Sequence, residues 1–204
     1  GFATSFLPLI LSLKNSENWN DEDNKFGVRP SSIMLELWSG TTNDVNKMTT
    51  KVRDVTLSAA NNWQATVSNL PDVNGSGNKL YYGFWETDAN KPAYYTPVYA
   101  AGTLNGAKNG YNITVRNDLQ KGYLDLKKTS GKPDLTNGNS NYSLAGAVYT
   151  VYTDKRCTKK ATYFGELRTN DKGETGKVEI LPGTYYVKET TAPKGFKLRY
   201  SKSL

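Results

Sequence analysis

The sequence lacks histidine altogether and has a single cysteine, Cys157. Without histidine, His-based catalytic triads and His-containing zinc sites are excluded. With one cysteine, no disulfide can close within the chain, and a Cys-x-x-Cys metal or redox site is impossible. The sequence also gives no cluster that predicts a cofactor or a metal ion. An extracellular protein of this composition therefore needs a good core, or a covalent link of another kind, in place of disulfides.

Runs with helical periodicity are scarce, whereas glycine (18) and tyrosine (14) are abundant. Short stretches rich in β-branched and aromatic residues alternate with Asn-Gly and Pro-Gly turn signals about every ten residues. This pattern predicts an all-β protein, with sandwich architecture. The predicted strands are 32–37, 54–57, 63–67, 80–85, 111–115, 123–126, 147–152, 177–180 and 184–187.

The formal net charge is +7, but the basic residues are scattered along the chain. A nucleic-acid-binding surface requires Lys and Arg clustered with aromatic residues, so we expect no nucleic-acid partner. The apolar start Phe6–Leu11 is too short to span a bilayer and lacks the features of a signal peptide. We interpret it as a strand, and we expect no membrane span in this chain.

A length of 204 residues suits two domains of about 100 residues each. An internal repeat supports this division: Leu70-Pro71, a strand and Trp85-Glu86-Thr87 recur as Leu181-Pro182, a strand and Lys188-Glu189-Thr190. The polar stretch 116–122 is interpreted as the linker. We predict one sandwich over residues 1–118 and a second over residues 119–204, without its last strand.

The repeat contains a carboxylate where an apolar side chain is expected. Alternate residues of a strand share a face, so Glu189 lies on the same face as Tyr185 and Val187. By the same alternation, Glu86 shares a face with Tyr82 and Phe84. An unpaired buried carboxylate is costly, and two of them at equivalent places indicate a function.

Motifs in both halves resemble a known family. GYLDLKKTS (122–130), NYSLAGAVYTVYTD (141–154) and LPGTYYVKETTAPKGF (181–196) resemble the SpaA-like kind of Cna-type B domain. NWNDEDNKFGVRPSSIMLELW (18–38) and YYGFWET (81–87) resemble the collagen-adhesin B repeat. The resemblance implies two tandem immunoglobulin-like sandwiches of a Gram-positive pilin or adhesin.

The resemblance also implies an intramolecular isopeptide bond, in which a Lys on the first strand attacks the side-chain amide of an Asn on the last strand. A buried acidic residue catalyses the reaction. On the stretch Tyr123–Lys128, Lys128 shares a face with Leu124 and Leu126, so it is the candidate nucleophile, with Glu189 as its catalyst. The acceptor is unknown, because no Asn follows Phe196 in this chain.

The first domain departs from the family pattern at both reactants. Glu17 stands two residues before Trp19, where the family has its Lys, and Val115 stands where the family has its Asn. Glu86 is retained as the candidate catalyst, and Lys14 and Asn117 are nearby substitutes for the reactants. The alternative is a domain without the bond, in which Glu86 keeps only hydrogen bonds and a neighbouring Glu17 raises a carboxyl pKa by repulsion.

The function expected from the resemblance is mechanical. The chain would form part of a stalk or subunit on the cell surface, joined to other pilus or surface proteins by sortase and anchored to the cell wall. Its only chemistry would be a single-turnover crosslinking of itself, so we do not expect an enzyme. The alternative is an adhesin module that binds host extracellular-matrix proteins.

Overall fold

The computed structural model describes residues 10–100, 102–104 and 110–198, with the side chains of residues 10–16 and of Leu104 left out. Most of the apolar start predicted as a strand lies outside these residues. No helix in the described part is long and apolar enough to cross a membrane.

The strands are β1 (Ile10–Asn20), β2 (Ser32–Gly40), β3 (Thr50–Ser58), β4 (Gln64–Pro71), β5 (Tyr81–Trp85), β6 (Tyr95–Tyr99), β7 (Thr103–Leu104), β8 (Gly110–Leu119), β9 (Gly122–Leu124), β10 (Val148–Tyr152), β11 (Tyr163–Phe164), β12 (Val178–Ile180) and β13 (Tyr186–Thr191).

Helical structure in the described residues is limited to short turns. They are two 3₁₀ turns (Val45–Lys47 and Ala59–Asn61) and one α-helical turn, α1 (Pro133–Thr136). Pro133 starts α1, where a missing N–H costs nothing because the first helical N–H groups have no partner within the helix.

The chain divides into two compact units after Leu119. In unit 1, one sheet has the order β4-β1-β8-β6 with β7 beside β8, and the other has the order β3-β2-β5. β1 lies between β4, which is antiparallel to it, and β8, which is parallel to it. The first described strand of the unit is therefore paired with the last one over nine residues, Ser12–Asn20 against Gly110–Asp118.

The core of unit 1 follows from strict alternation. Ile33, Leu35 and Leu37 of β2 are buried, and Leu57 of β3 and Phe84 of β5 pack with them. Burying such a side chain contributes about 1.5–3 kcal/mol. Side chains from the other sheet complete this core, namely Val67, Leu70, Ile113 and Val115.

The acidic stretch after β1 forms a turn fixed by Asp21. The backbones of Glu22, Asp23 and Asn24 all have positive φ, and the Asn24 N–H donates to Asp21 Oδ1. Arg29 donates to both Asp21 oxygens at 2.6 and 2.9 Å, and the Tyr95 hydroxyl donates to Oδ2 at 2.9 Å. These charge-assisted bonds hold the pKa of Asp21 below its usual value, although burial opposes them. The buried carboxylate is thus satisfied by protein groups.

Strand β8 is longer than the sequence predicted. The polar residues 116–119, interpreted as part of a linker, form the last part of β8. Alternation continues through them, since Arg116 is exposed and Asn117 is fully buried. A polar residue on the buried face of a strand looks like a loop residue when only the sequence is read.

Unit 2 has the sheet β11-β12-β9 and the pair β10-β13. Its buried cluster consists of Val151, Leu167, Val178 and Ile180, with Leu124 and Leu126 packed against it. Val187 was predicted to face the core with Glu189. It lies opposite the buried Val151, so the face is correct, yet its side chain is 39% exposed. Within the described residues β13 pairs only with β10, and this edge position leaves Val187 uncovered.

Gly173 holds the backbone next to Lys128. Its φ is +77°, and its carbonyl accepts the Lys128 N–H at 2.7 Å. A Cβ on Gly173 would collide with the Lys128 carbonyl oxygen, whereas a Cβ on Gly176, with φ +71°, would meet nothing within 4 Å. The two glycines therefore share a left-handed backbone and differ in the space around them.

We expect Gly173→Ala to destabilise unit 2 by about 3 kcal/mol, because overpacking costs about 1–3 kcal/mol beyond the cost of about 1–2 kcal/mol for a left-handed backbone. Gly176→Ala, the matched control, carries only the backbone cost. Hydrogen exchange of the β9 and β12 amides in the full chain measures both losses. Equal losses for the two variants would contradict the packing argument.

Candidate functional site

Three polar side chains meet inside unit 1. Glu17 belongs to β1, Asn117 to the parallel β8, and Glu86 follows β5 in the other sheet. The parallel register sets Glu17 opposite Val115 and Trp19 opposite Asn117. Glu17 is 5% exposed, and Glu86 and Asn117 are fully buried. We call Glu17, Glu86 and Asn117 the acid–amide cluster.

The amide nitrogen of Asn117 links the two carboxyl groups. Its Nδ2 donates to Glu17 Oε1 at 3.0 Å and to Glu86 Oε1 at 2.8 Å. Glu17 Oε2, Glu86 Oε2 and Asn117 Oδ1 are buried without a hydrogen-bond partner. The cluster thus has three unused oxygen atoms in a place where an unsatisfied polar atom is costly.

Burial determines the protonation of the cluster. Burial, the largest effect, and the negative charge of Glu86 raise the pKa of Glu17, the Asn117 hydrogen bonds lower it, and the result is a pKa of about 9. Burial also raises the pKa of Glu86, which the Asn117 hydrogen bond and Lys91 oppose. Glu17 therefore carries a proton at neutral pH. The like-charge repulsion expected from the sequence is present, but desolvation is the larger cause.

Tyr99 of β6 holds the backbone of Glu86. Its hydroxyl accepts the Glu86 N–H at 3.0 Å and donates to the Glu86 carbonyl at 3.3 Å. Its ring stacks on Trp85 with the centroids 4.8 Å apart. Burial raises the pKa of Tyr99 to about 12, so the hydroxyl stays protonated over the physiological range. Glu86 is thus positioned by Tyr99 and Asn117, two residues of the opposite sheet.

The structure brings Glu86 and Asn117 together, as the sequence allowed, and adds Glu17 where the family has its lysine. Val115 is part of the core, and Asn117, one alternation further along β8, reaches Glu86. Lys14 lies in β1 opposite Asn112, three residues before Glu17, and its side chain lies outside the described part. The position of Glu17 next to Asn117 depends on the register of strands about 100 residues apart, which the sequence does not specify.

In unit 2 the structure brings Lys128 and Glu189 together. Lys128 Nζ lies 3.0 Å from both Glu189 oxygens and donates to Oε2. The Lys and Glu side chains are 17% and 18% exposed. The Nζ also lies 5.5 Å from the centroid of the Phe196 ring, which covers it from the turn after β13. The pair is therefore half-buried, with an apolar neighbour on one side.

Glu189 is set in place by its pairing with β10. It lies opposite Tyr149, whose pKa is raised by burial and by the Glu189 charge. Lys127, the neighbour of Lys128, points elsewhere and pairs with Glu174 at 3.4 Å on the surface. Alternation of faces thus separates the two adjacent lysines as the sequence indicated. Among residues 120–198, no asparagine is hydrogen-bonded to Lys128 or Glu189.

The described residues contain no group of three or more His, Cys, Asp or Glu side chains placed to hold a metal ion. Cys157 is partly exposed in a turn, where its backbone has a φ of +55°. The groups that this structure gathers for chemistry are thus carboxyl, amide and amine groups.

Both halves of the chain match family models. Residues 13–118 match the Cna protein B-type domain, and residues 122–203 match a prealbumin-like fold domain, SpaA. The collagen adhesin of Staphylococcus aureus is 25% identical over 221 residues, which cover 96% of this chain and 17% of the adhesin. The chain therefore spans about a sixth of the length of this curated relative.

Solved structures of surface proteins align with most of this chain at low sequence identity. Two B repeat units of the S. aureus collagen-binding protein share 20% identity and a TM-score of 0.44, covering 91% of this chain and 46% of theirs. A C-terminal fragment of the pilus adhesin SpaC from Lactobacillus rhamnosus GG shares 14% identity and a TM-score of 0.49, covering 92% and 77%. The expectation of an all-β chain with tandem immunoglobulin-like sandwiches is confirmed by the family matches and the strands. The chain belongs to the Cna protein B-type domain family of Gram-positive adhesins and pilins.

Proposed function

We propose that this chain is a stalk segment of a Gram-positive pilus subunit or adhesin, and that an isopeptide bond from Lys128 stabilises unit 2. The half-buried Lys128–Glu189 pair carries this proposal. It joins the chain after β9 to β13, beneath Phe196. Burying such a pair costs solvation that its attraction does not fully repay, so a chemical role explains better why the two groups are held together.

The reaction would need a neutral amine and a proton donor. Lys128 passes its proton to the Glu189 carboxylate within their 3.0 Å contact, and the free amine attacks Cγ of an Asn side chain. Glu189 donates this proton to the Asn oxygen and takes one from the attacking nitrogen. It then protonates the departing Nδ2, the oxygen returns its proton to Glu189, and ammonia leaves. One C–N bond forms, one breaks, and no cofactor is required.

The acceptor would come from a further strand. In unit 1 the last strand β8 runs parallel to the first strand β1, while in unit 2 the first strand β9 pairs with β12 on one side. A last strand on the other side of β9 would place an Asn near Lys128. Residues 197–204 contain no Asn, and the proposal therefore takes the acceptor from a strand of a longer form of the protein or of another chain.

The crosslink would serve a mechanical role. A bond between first and last strands closes nearly the whole unit in one loop and slows unfolding, as a disulfide does in other extracellular proteins. The same proposal includes display outside the cell, sortase-catalysed attachment to other pilus or surface subunits, and anchoring to the cell wall. The chain would turn over no external substrate.

We expect the longer protein that includes the acceptor strand to be lighter than its sequence by one ammonia molecule, lost from unit 2. Intact mass and peptide mapping to a Lys128-linked fragment measure this loss. Lys128→Ala and Glu189→Ala should both abolish it, because one removes the nucleophile and the other the proton carrier.

Lys127→Ala is the matched control, since Lys127 is adjacent and pairs with the exposed Glu174. It should leave the ammonia loss unchanged. Full mass in the unsubstituted protein, with the Lys128 amine open to acylation after denaturation, would refute the crosslink. The stalk role would then be tested separately, by measuring whether the protein is displayed on the cell surface.

The same chemistry makes a prediction for unit 1, which we propose has no bond because Glu17 occupies the place of the nucleophile. Glu86 and Asn117 are already 2.8 Å apart, and a lysine side chain is one bond longer than glutamate. Glu17→Lys should therefore lose one ammonia and yield a linked β1–β8 peptide. Glu17→Lys combined with Glu86→Ala is the control and should keep its full mass. A folded Glu17→Lys variant of full mass would contradict the assignment.

Binding to host matrix proteins is the second candidate function. Two shallow cavities flank residues 43–48, one lined by Trp38 and Trp85 and the other by Tyr82 and Tyr99. Aromatic side chains are common in binding sites, and Trp38, Trp85 and Tyr99 are partly exposed here, whereas Tyr82 is buried. Saturable solid-phase binding to a matrix protein, lost on Trp85→Ala, would contradict a purely mechanical role.

A further inference from the structure

The acid–amide cluster joins three strands of unit 1 without any opposite charge in direct contact. Glu17 is on β1, Asn117 on β8, and Glu86 at the end of β5, so the cluster connects both sheets. We propose that one proton, held by Glu17 beside Glu86, forms a reversible link between the sheets, and that unit 1 becomes less stable as the pH rises toward the value at which this proton is released. This inference is independent of any crosslink at Lys128.

Counting donors and acceptors supports a single proton. The Asn117 amide supplies two N–H donors, and each carboxyl group accepts one of them. Three oxygens of the cluster remain without a partner. A proton on Glu17 Oε2 turns one of these acceptors into a donor. The other two, Glu86 Oε2 and Asn117 Oδ1, are acceptors of the same cluster to which it could donate. Without it, two carboxylates would be buried around one neutral amide, which is far more costly.

The charged and titratable groups around the cluster do not replace this proton. Lys91 acts on Glu86 from a distance, and its amine is bound to the exposed Asp88 at 2.8 Å. Tyr99 bonds only the Glu86 backbone, and its pKa of about 12 keeps it neutral. On β1, the Glu17 N–H donates to the Trp63 carbonyl, which has no charge. On β8, Arg116 and Asp118 pair with each other on the surface.

The direction of the pH effect follows from proton linkage. The pKa of Glu17 is about 9 in the folded unit, against an ordinary value of 4.5 for a solvated glutamate. Between these values the folded state binds more protons than the unfolded state, so stability falls as pH rises. For one proton, the unfolding equilibrium constant rises about tenfold per pH unit. The effect levels off above the folded pKa, where both states are ionised.

Tryptophan fluorescence reports on unit 1 alone, because all four tryptophans, Trp19, Trp38, Trp63 and Trp85, precede Leu119. Denaturant unfolding of the full chain, followed by this signal, should give an unfolding constant that rises about a hundredfold from about pH 6 to about pH 8. Glu17→Gln, which mimics the protonated acid, should be nearly independent of pH and more stable than the unsubstituted chain at pH 8. Asp88→Asn, the control for an exposed carboxylate, should keep the full pH dependence.

A flat pH profile in the unsubstituted chain, or a Glu17→Gln variant that keeps the slope, would overturn the proposal. So would a Glu17→Gln variant that fails to fold, since glutamine reproduces the size and neutrality of the protonated acid.

A second pair of variants tests the amide. Asn117→Ala leaves both carboxyl groups without a donor and should lower the unfolding midpoint strongly at every pH, whereas the exposed Asn112→Ala on the same strand should not. Equal effects of these two variants would also overturn it.

Discussion

The parallel pairing of β1 with β8 is the contact on which unit 1 depends. It places the first described strand in the middle of a sheet, between β4 and the last strand. Glu17 and Asn117 meet across about 100 residues of chain, so this contact has the largest loop-closure entropy to overcome. It cannot rely on a disulfide, because Cys157 is the only cysteine. The groups at this contact must therefore hold the strands by hydrogen bonding and burial.

The two units bring a carboxyl group to comparable places and neutralise it differently. In unit 1, Glu86 is fully buried and meets a neutral amide and a protonated acid. In unit 2, Glu189 is 18% exposed and meets the ammonium of Lys128. The difference in burial explains the difference in chemistry, because a fully desolvated ion pair loses much of its attraction to desolvation, while a half-buried pair keeps part of its solvation. An acid that accepts a proton avoids this loss.

Alternation allowed much of this arrangement to be read from the sequence. It identified the buried face of β5, and it placed Glu86 and Glu189 on the core side of their strands. Alternation alone did not pair Glu86 with Glu17 and Asn117, which were named from the family resemblance, because the pairing of β1 with β8 is a long-range register and residues 116–119 resemble a loop. It also could not show that β13 is an edge strand, which leaves Val187 exposed. Both gaps concern contacts between distant segments, whereas local alternation was sufficient for the rest.

A proton link and an amide crosslink differ most under load. A hydrogen-bonded link breaks when the strands separate and forms again when they pair, so an unfolded unit 1 can extend by up to about 3.3–3.6 Å per residue and then refold. An amide bond between the ends of unit 2 would prevent that extension, since force would pass through the bond and not through the β-sheets. If both proposals hold, one chain would combine an extensible unit 1 with an inextensible unit 2. Raising the pH through the neutral range would weaken only the first, because the neutral amide of the second has no proton to lose in that range.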